Sequence, residues 1–177
     1  KEAFCATPAS EPADAHDARQ AIIVKIDQLD TRIIVLEKES VARCRASAVC
    51  RRLMGIEGVG PISAHLIAGS VPDARVFARS RDFAAWLGLT PGQYSSGGKS
   101  RLGRITKAGD SYLRSLLVLG ARAVLAAAGN KNDPISRWAK SVAERRGYWR
   151  AVIAIAAKNA RMAWAVLKRG EAFELPT

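Results

Sequence analysis

Histidine, cysteine and aromatic residues are scarce in this chain, and each scarcity closes a route to function. His16 and His65 are the only histidines among 177 residues, too few to build a histidine-based zinc site or to offer a choice of triad bases. Cys44 and Cys50 lie six positions apart, off a single helical face and off any metal-ligand spacing. With Cys5 they make an odd set of three, and without a secretory signal this reads as reduced thiols. Aromatic residues are 6% of the chain. No run of about 18 uninterrupted apolar residues occurs, so a membrane span is not expected. Lys1 rather than Met opens the sequence and no apolar signal-type stretch follows. The expectation is a piece of a longer protein without a signal peptide, its upstream part lying outside this chain.

Acidic residues are scarce in one half only. Residues 1–94 hold 12 basic and 11 acidic side chains, whereas residues 95–170 hold 16 basic and 3 acidic. The net charge of +12 therefore sits almost wholly in the second half. Lysines and arginines that replace condensed counterions favour a polyanion, so the expected partner is nucleic acid; a solvated basic face is the bland alternative. A hydrophobic content of 49% is ample for a packed core and excludes a wholly disordered chain.

The patterning is helical. Residues 1–17, with Pro8 and Pro12 and no apolar period, are expected to be a flexible arm. Ile22, Ile26, Leu29, Ile33 and Leu36 follow at 4-3-4-3 spacing, a coiled-coil seam over two heptads. No Gly or Pro falls between Ala13 and Gly55, so the spacing predicts one long helix over residues 18–53, paired within the chain or with a second copy. Residues 54–170 are expected to form one helical domain and 171–177 a tail. Within that domain, Gly58-Val59-Gly60-Pro61 between two apolar helical stretches has the form of a helix-hairpin-helix. Its glycines permit close backbone approach to a phosphate, and Pro61 suits a helix start. An ordinary tight turn between core helices is the other reading.

Ser80 is a plausible cap for a helix ending at Gly88 and Asp110 for the next, and Asn132-Asp133-Pro134 starts a third. A last apolar helix is expected over residues 149–167. Trp86, Trp138, Trp149 and Trp164 fall on apolar helical positions and are assigned to the core, while Tyr94 is left exposed. Residues 93–109 hold four glycines, four basic residues and no acid. Gly97-Gly98-Lys99-Ser100 there looks like the end of a P-loop, but the required earlier glycine and a preceding strand are both absent. No β-alternation of useful length appears, and the fold class is all-α.

Three blocks in order carry a family likeness. They are Gly55–Ala64, then Phe77–Pro91 with its Asp82-Phe83-Ala84-Ala85-Trp86-Leu87-Gly88-Leu89 core, then Tyr94-Ser95-Ser96-Gly97-Gly98-Lys99 leading to Gly109-Asp110 and Leu113-Arg114. Together they resemble the C-terminal region of IS110/IS116/IS902-type transposases, relatives of the Piv DNA invertase. The resemblance implies a RuvC-like acidic domain with Mg²⁺ upstream of this chain, no cofactor within it, and DNA as partner, with a structured RNA as guide. It implies a serine nucleophile at Ser95, with Ser96 as the alternative, and a bacterial, nucleoid-associated cytoplasmic location; the heptad seam points to a homo-oligomer through the first helix, and no membrane is expected. From the residues themselves, Gly58, Gly60, Lys99, Arg101, Arg104, Lys107 and Arg114 are the candidates for contacting DNA. The competing reading is a non-catalytic helix-hairpin-helix module that only grips the backbone.

Overall fold

The computed structural model describes residues 13–94 and 102–173, and the chain divides into two units, Lys1–Glu39 and Ser40–Thr177. Helix α1 spans Ala13–Ala46, so it begins inside the expected arm. Every described side chain from Asp17 to Glu39 is exposed. Ile26, Leu29, Ile33 and Leu36 each keep about half of their surface in solvent (51%, 49%, 50% and 51%).

The single helix expected over residues 18–53 is broken at Ser47. Helix α2 (Ala48–Met54) starts there, with Ser47 in extended backbone and its hydroxyl accepting from the Cys50 amide. No Gly or Pro forces the break. Arg51 Nη1 instead donates to the carbonyls of Arg45 and Ala46, at 2.7 and 3.2 Å, which would otherwise be orphaned at a helix end. The break lets Cys44, Cys50 and Leu53 all reach the core. It also brings the two thiols together, although the six-residue spacing argued against a shared face. Burial first, then the neighbouring Cys50, pushes the Cys44 thiol up to about 11, so it is not a thiolate at neutral pH.

The rest is a helical bundle: α3 (Pro61–Ser70), α4 (Ser80–Trp86), α5 (Ser111–Ala127), α6 (Pro134–Arg146) and α7 (Tyr148–Arg169). Helix α7 is the hub, packing on α2, α4, α5 and α6. Its small buried face of Ala151, Val152, Ile155, Ala156, Ala160 and Ala163 lets neighbours approach closely. Leu53, Ile67, Phe83, Leu87, Leu113 and Leu117 fill the space around it. Asn159 is the polar residue on that face, 2% exposed, and its amide donates to the Glu57 carbonyl at 2.8 Å.

Asp110 caps α5 as expected, and Asp133 caps α6, each accepting from two backbone amides. Ser80 is not a cap: it is the first residue of α4, and Asp82 takes the role by accepting from the Arg79 amide at 3.0 Å. Residues 111–130 are long and apolar enough, by length and composition, to cross a membrane, with mean hydropathy 1.4. In this fold Leu113, Leu117, Ala121 and Val124 of that segment lie in the protein core.

The fold class is all-α, and one expectation within it, the assignment of every tryptophan to the core, needs correction. The all-α architecture carries one small exception, an antiparallel pair of strands β1 (Pro91–Gln93) and β2 (Leu102–Ile105). At three and four residues they are too short to give a periodic signal. Trp149, assigned to the core, is 64% exposed, and Trp86 is 38% exposed at the edge of a cluster with Phe77 and Phe83. Trp138 and Trp164 are partly buried against the core, with Lys158 and Lys168 over their rings.

Candidate nucleic-acid interface

The strands β1 and β2 enclose the Gly-, Ser- and Lys-rich segment. Pro91 pairs with Ile105 and Gln93 with Leu102, with an irregularity between them. Ser95, Ser96, Lys99 and Arg101 lie between the strands in sequence, outside the described residues. The base of the hairpin is anchored in detail. Thr106 donates to Thr90 O at 3.0 Å and Lys107 to Gly88 O at 3.1 Å. Gly88 and Gly109 both have positive φ, +69° and +72°. A methyl group on Gly88 would collide with the Ala108 backbone, and one on Gly109 with Trp86 O. Only glycine allows the two strand roots to approach so closely.

Arg114 braces the same place. Its Nη1 donates to Ala108 O at 2.8 Å, Leu87 O at 3.2 Å and Asp110 O at 3.5 Å. These carbonyls belong to the end of α4, the chain leaving β2 and the cap of α5. Arg114, a candidate DNA contact, is thus tied to three carbonyls within the fold. Arg104 and Lys107 are exposed on the returning strand and just beyond it. Lys107 has φ +56°, a strained conformation for a non-glycine residue that turns the chain toward α5. Tyr94 is 75% exposed, and its ring passes over Gly103 so closely that a Cβ there would meet it at 2.8 Å.

The segment read as a helix-hairpin-helix or as an ordinary tight turn consists of α2, the turn 55–60 and α3, with Gly60 capping and Pro61 opening α3. Its two glycines do different things. Gly58 has φ +83°, and a Cβ on it would lie 2.7 Å from Gly120 O and 2.8 Å from Val124 Cγ2. It is a packing glycine against α5, so its closeness to backbone is used inside the fold. Gly60 has open space around it. Lys131 pairs with Glu57 at 2.5 Å, which holds the Lys131 ammonium above its ordinary range. Glu57 and Asn159 together pin the turn to the body of the bundle.

Gly120 falls on the apolar face of α5 in the sequence, whereas Asn159 and Lys131 are not marked there as site residues. Of the latter two, Asn159 alone left a signal, since it continues the spacing Val152, Ile155/Ala156, Ala163, Val166. Among the described residues no group of three or more His, Cys, Asp or Glu could hold a metal ion. The described side chains do not fit a Mg²⁺ site.

The architecture is a helical bundle with one anchored β-hairpin enclosing a basic, serine-containing segment. The family model for the IS116/IS110/IS902 transposases matches residues 50–139, from within α2 into the first half of α6. The chain belongs to this transposase family. It is 46% identical over 162 residues to a probable family 20 transposase of Pseudomonas aeruginosa, covering 92% of this chain and 48% of that protein. It is 45% identical over 137 residues to the transposase for insertion sequence element IS1111A of Coxiella burnetii, covering 77% and 38%. With the transposase for insertion sequence element IS1328 of Yersinia enterocolitica the identity is 37% over 138 residues, covering 78% and 41%. The chain spans half or less of the length of these curated relatives.

Proposed function

We propose that this chain is the C-terminal part of a DNA transposase or site-specific recombinase that presents a serine nucleophile to DNA. The family membership supports the transposase reading. The anchored hairpin around residues 94–101 is the observation that carries the finer one, since a nucleophile must be held on a rigid support. Ser95 is the proposed nucleophile and Ser96 the alternative. The seryl Oγ attacks the scissile phosphorus and forms a phosphoserine ester. One P–O bond of the DNA breaks, and the departing strand end takes a proton as a free hydroxyl. A second strand's hydroxyl reverses the step on a new partner, so no ATP is consumed.

Lys99, Arg101, Arg104 and Lys107 would neutralise the phosphates around that bond, and Gly60 would let the start of α3 approach backbone. Carboxylates and Mg²⁺ are proposed to come from a separate acidic domain of the full protein. A structured RNA as guide, self-association through α1 and a nucleoid-associated cytoplasmic location complete the reading.

The test mixes the chain with a RuvC-like N-terminal half, labelled DNA, the cognate RNA and Mg²⁺, then denatures and looks for protein-linked DNA. An adduct lost in Ser95→Ala is the expected result. Loss in Ser96→Ala alone would move the nucleophile by one residue. Absence of any adduct, with an active partner half and salt-sensitive DNA binding intact, would leave a non-catalytic binding module.

A further inference from the structure

The α6–α7 corner carries an aromatic and basic surface that the hairpin chemistry does not use. Residues 144–150 are all exposed. Tyr148 and Trp149 stand there edge to face, 5.2 Å between ring centroids, with 45% and 64% of their surfaces in solvent. The Arg122 guanidinium reaches across from α5 to lie 5.8 Å from the Trp149 ring. Arg145 and Arg146 end α6, Arg150 follows Trp149, and Glu144 is the one acid in the run.

Leaving a tryptophan mostly in water forgoes the burial that this side chain normally contributes. Exposed aromatic residues ringed by charge mark a surface awaiting a partner. The charge selects which. Protein interfaces also enrich Tyr, Trp and Arg, so what points to a polyanion is the imbalance, four arginines against the single Glu144. Arginines match phosphates, and an exposed indole matches the face of a base. Bases within a duplex have their faces covered by their neighbours, so the matching ligand is an unpaired nucleotide.

We propose that Trp149, flanked by Tyr148 and Arg122, is a stacking site for an unpaired nucleotide of the bound nucleic acid. The inference rests on the nucleic-acid reading above but uses a surface separate from the hairpin. An unpaired stretch of DNA and a single-stranded part of an RNA share the required chemistry.

The test titrates the full chain with an oligothymidylate, an oligouridylate of equal length and a blunt DNA duplex, following tryptophan fluorescence and, independently, labelled-probe anisotropy. At least one unpaired probe should quench the fluorescence, and the tighter of the two identifies DNA or RNA as the source. Trp149→Ala should weaken that probe about tenfold, the scale of one lost base stack, and leave duplex binding within about twofold. Trp149→Phe should keep most of the affinity while losing the quench. Arg122→Ala should weaken the same probe and lower its salt dependence by about one ion. An unchanged thermal transition in each variant shows that it folds. Equal affinity of Trp149→Ala and the parent for unpaired probes overturns the inference while leaving duplex binding, and so the function proposed above, standing. A change in sedimentation of Trp149→Ala with unaltered probe affinity would make the corner a protein contact instead. No binding to any of the three probes overturns both readings.

Discussion

Gly58 and Gly120 meet backbone to backbone, the turn between α2 and α3 lying directly on α5. A methyl group on Gly120 would overlap Gly58 O, and one on Gly58 would lie 2.7 Å from Gly120 O. Alanine in place of a helix-interior glycine ordinarily stabilises by about 0.5–1 kcal/mol. At Gly120 the sign should reverse. Overpacking costs about 1–3 kcal/mol in general, and here the obstacle is main chain that cannot rotate away. Gly120→Ala should therefore lower unfolding stability in denaturant by about 2 kcal/mol or more. Gly129→Ala, at a glycine with open surroundings, is the control and should change it little. Equal midpoints for the two variants would refute the contact.

Arg114 should matter to the hairpin before any nucleic acid arrives. Its three carbonyl partners join segments that otherwise meet mainly through the Thr106 and Lys107 amides. Arg114→Ala should speed amide hydrogen exchange at those two residues at least tenfold and leave the middle of α7 protected. Arg114→Lys should recover only part, since an ammonium lacks the planar fork. If exchange is unchanged in the free protein and only DNA binding falls, Arg114 is a phosphate contact, not a tie.

The helices were legible because their signals are local. Asp110 announces a cap, Pro61 and Asn132-Asp133-Pro134 announce helix starts, and the 3.6-residue spacing of α5 and α7 marks their buried faces. The break at Ser47 left no such mark, because it is set by Arg51 reaching back to two carbonyls and by core burial of Cys44 and Cys50. The strands were too short for their alternation to register. In the sequence Gly58 suggests close approach of backbone to a phosphate; the close neighbour that the fold gives it is the α5 backbone at Gly120, which no local signal marks. Trp149 failed for a related reason. Its spacing along α7 resembles that of a core residue, and only the packing shows that α5 presents Arg122 there instead of an apolar side chain.

Asp133 gives the fold a pH dependence whose sign is fixed. The Ser136 hydroxyl donates to its carboxylate at 2.6 Å, and that bond, followed by the Ser136 and Ile135 amides, holds the acid below its usual 3.8. A group depressed on folding contributes stability above its unfolded pKa and loses it as pH falls through the folded one. Asp133→Ala should thus melt lower than the parent at neutral pH, and the gap should narrow below about pH 3.8. The measurement is a pair of thermal melts across that range. A gap that stays constant to the lowest pH would mean that Asp133 acts through packing and not through charge.

The exposed face of α1 predicts self-association of modest strength. Fully burying an Ile or Leu side chain contributes about 1.5–3 kcal/mol, and the seam residues begin half-exposed, so each can add about 1 kcal/mol. Two copies of a five-residue seam then gain on the order of 10 kcal/mol, which falls within the 4–15 kcal/mol that association costs in lost freedom. The seam alone should give a dimer that dissociates on dilution, not a permanent one. Light scattering across a concentration series should show mass rising from one copy toward two. Ile26→Glu with Ile33→Glu should hold the chain at one copy throughout, with the unfolding of residues 40–177 unchanged because neither side chain lies in their core. Mass that stays at a single copy up to high concentration, or a double variant that associates like the parent, would remove α1 as the contact.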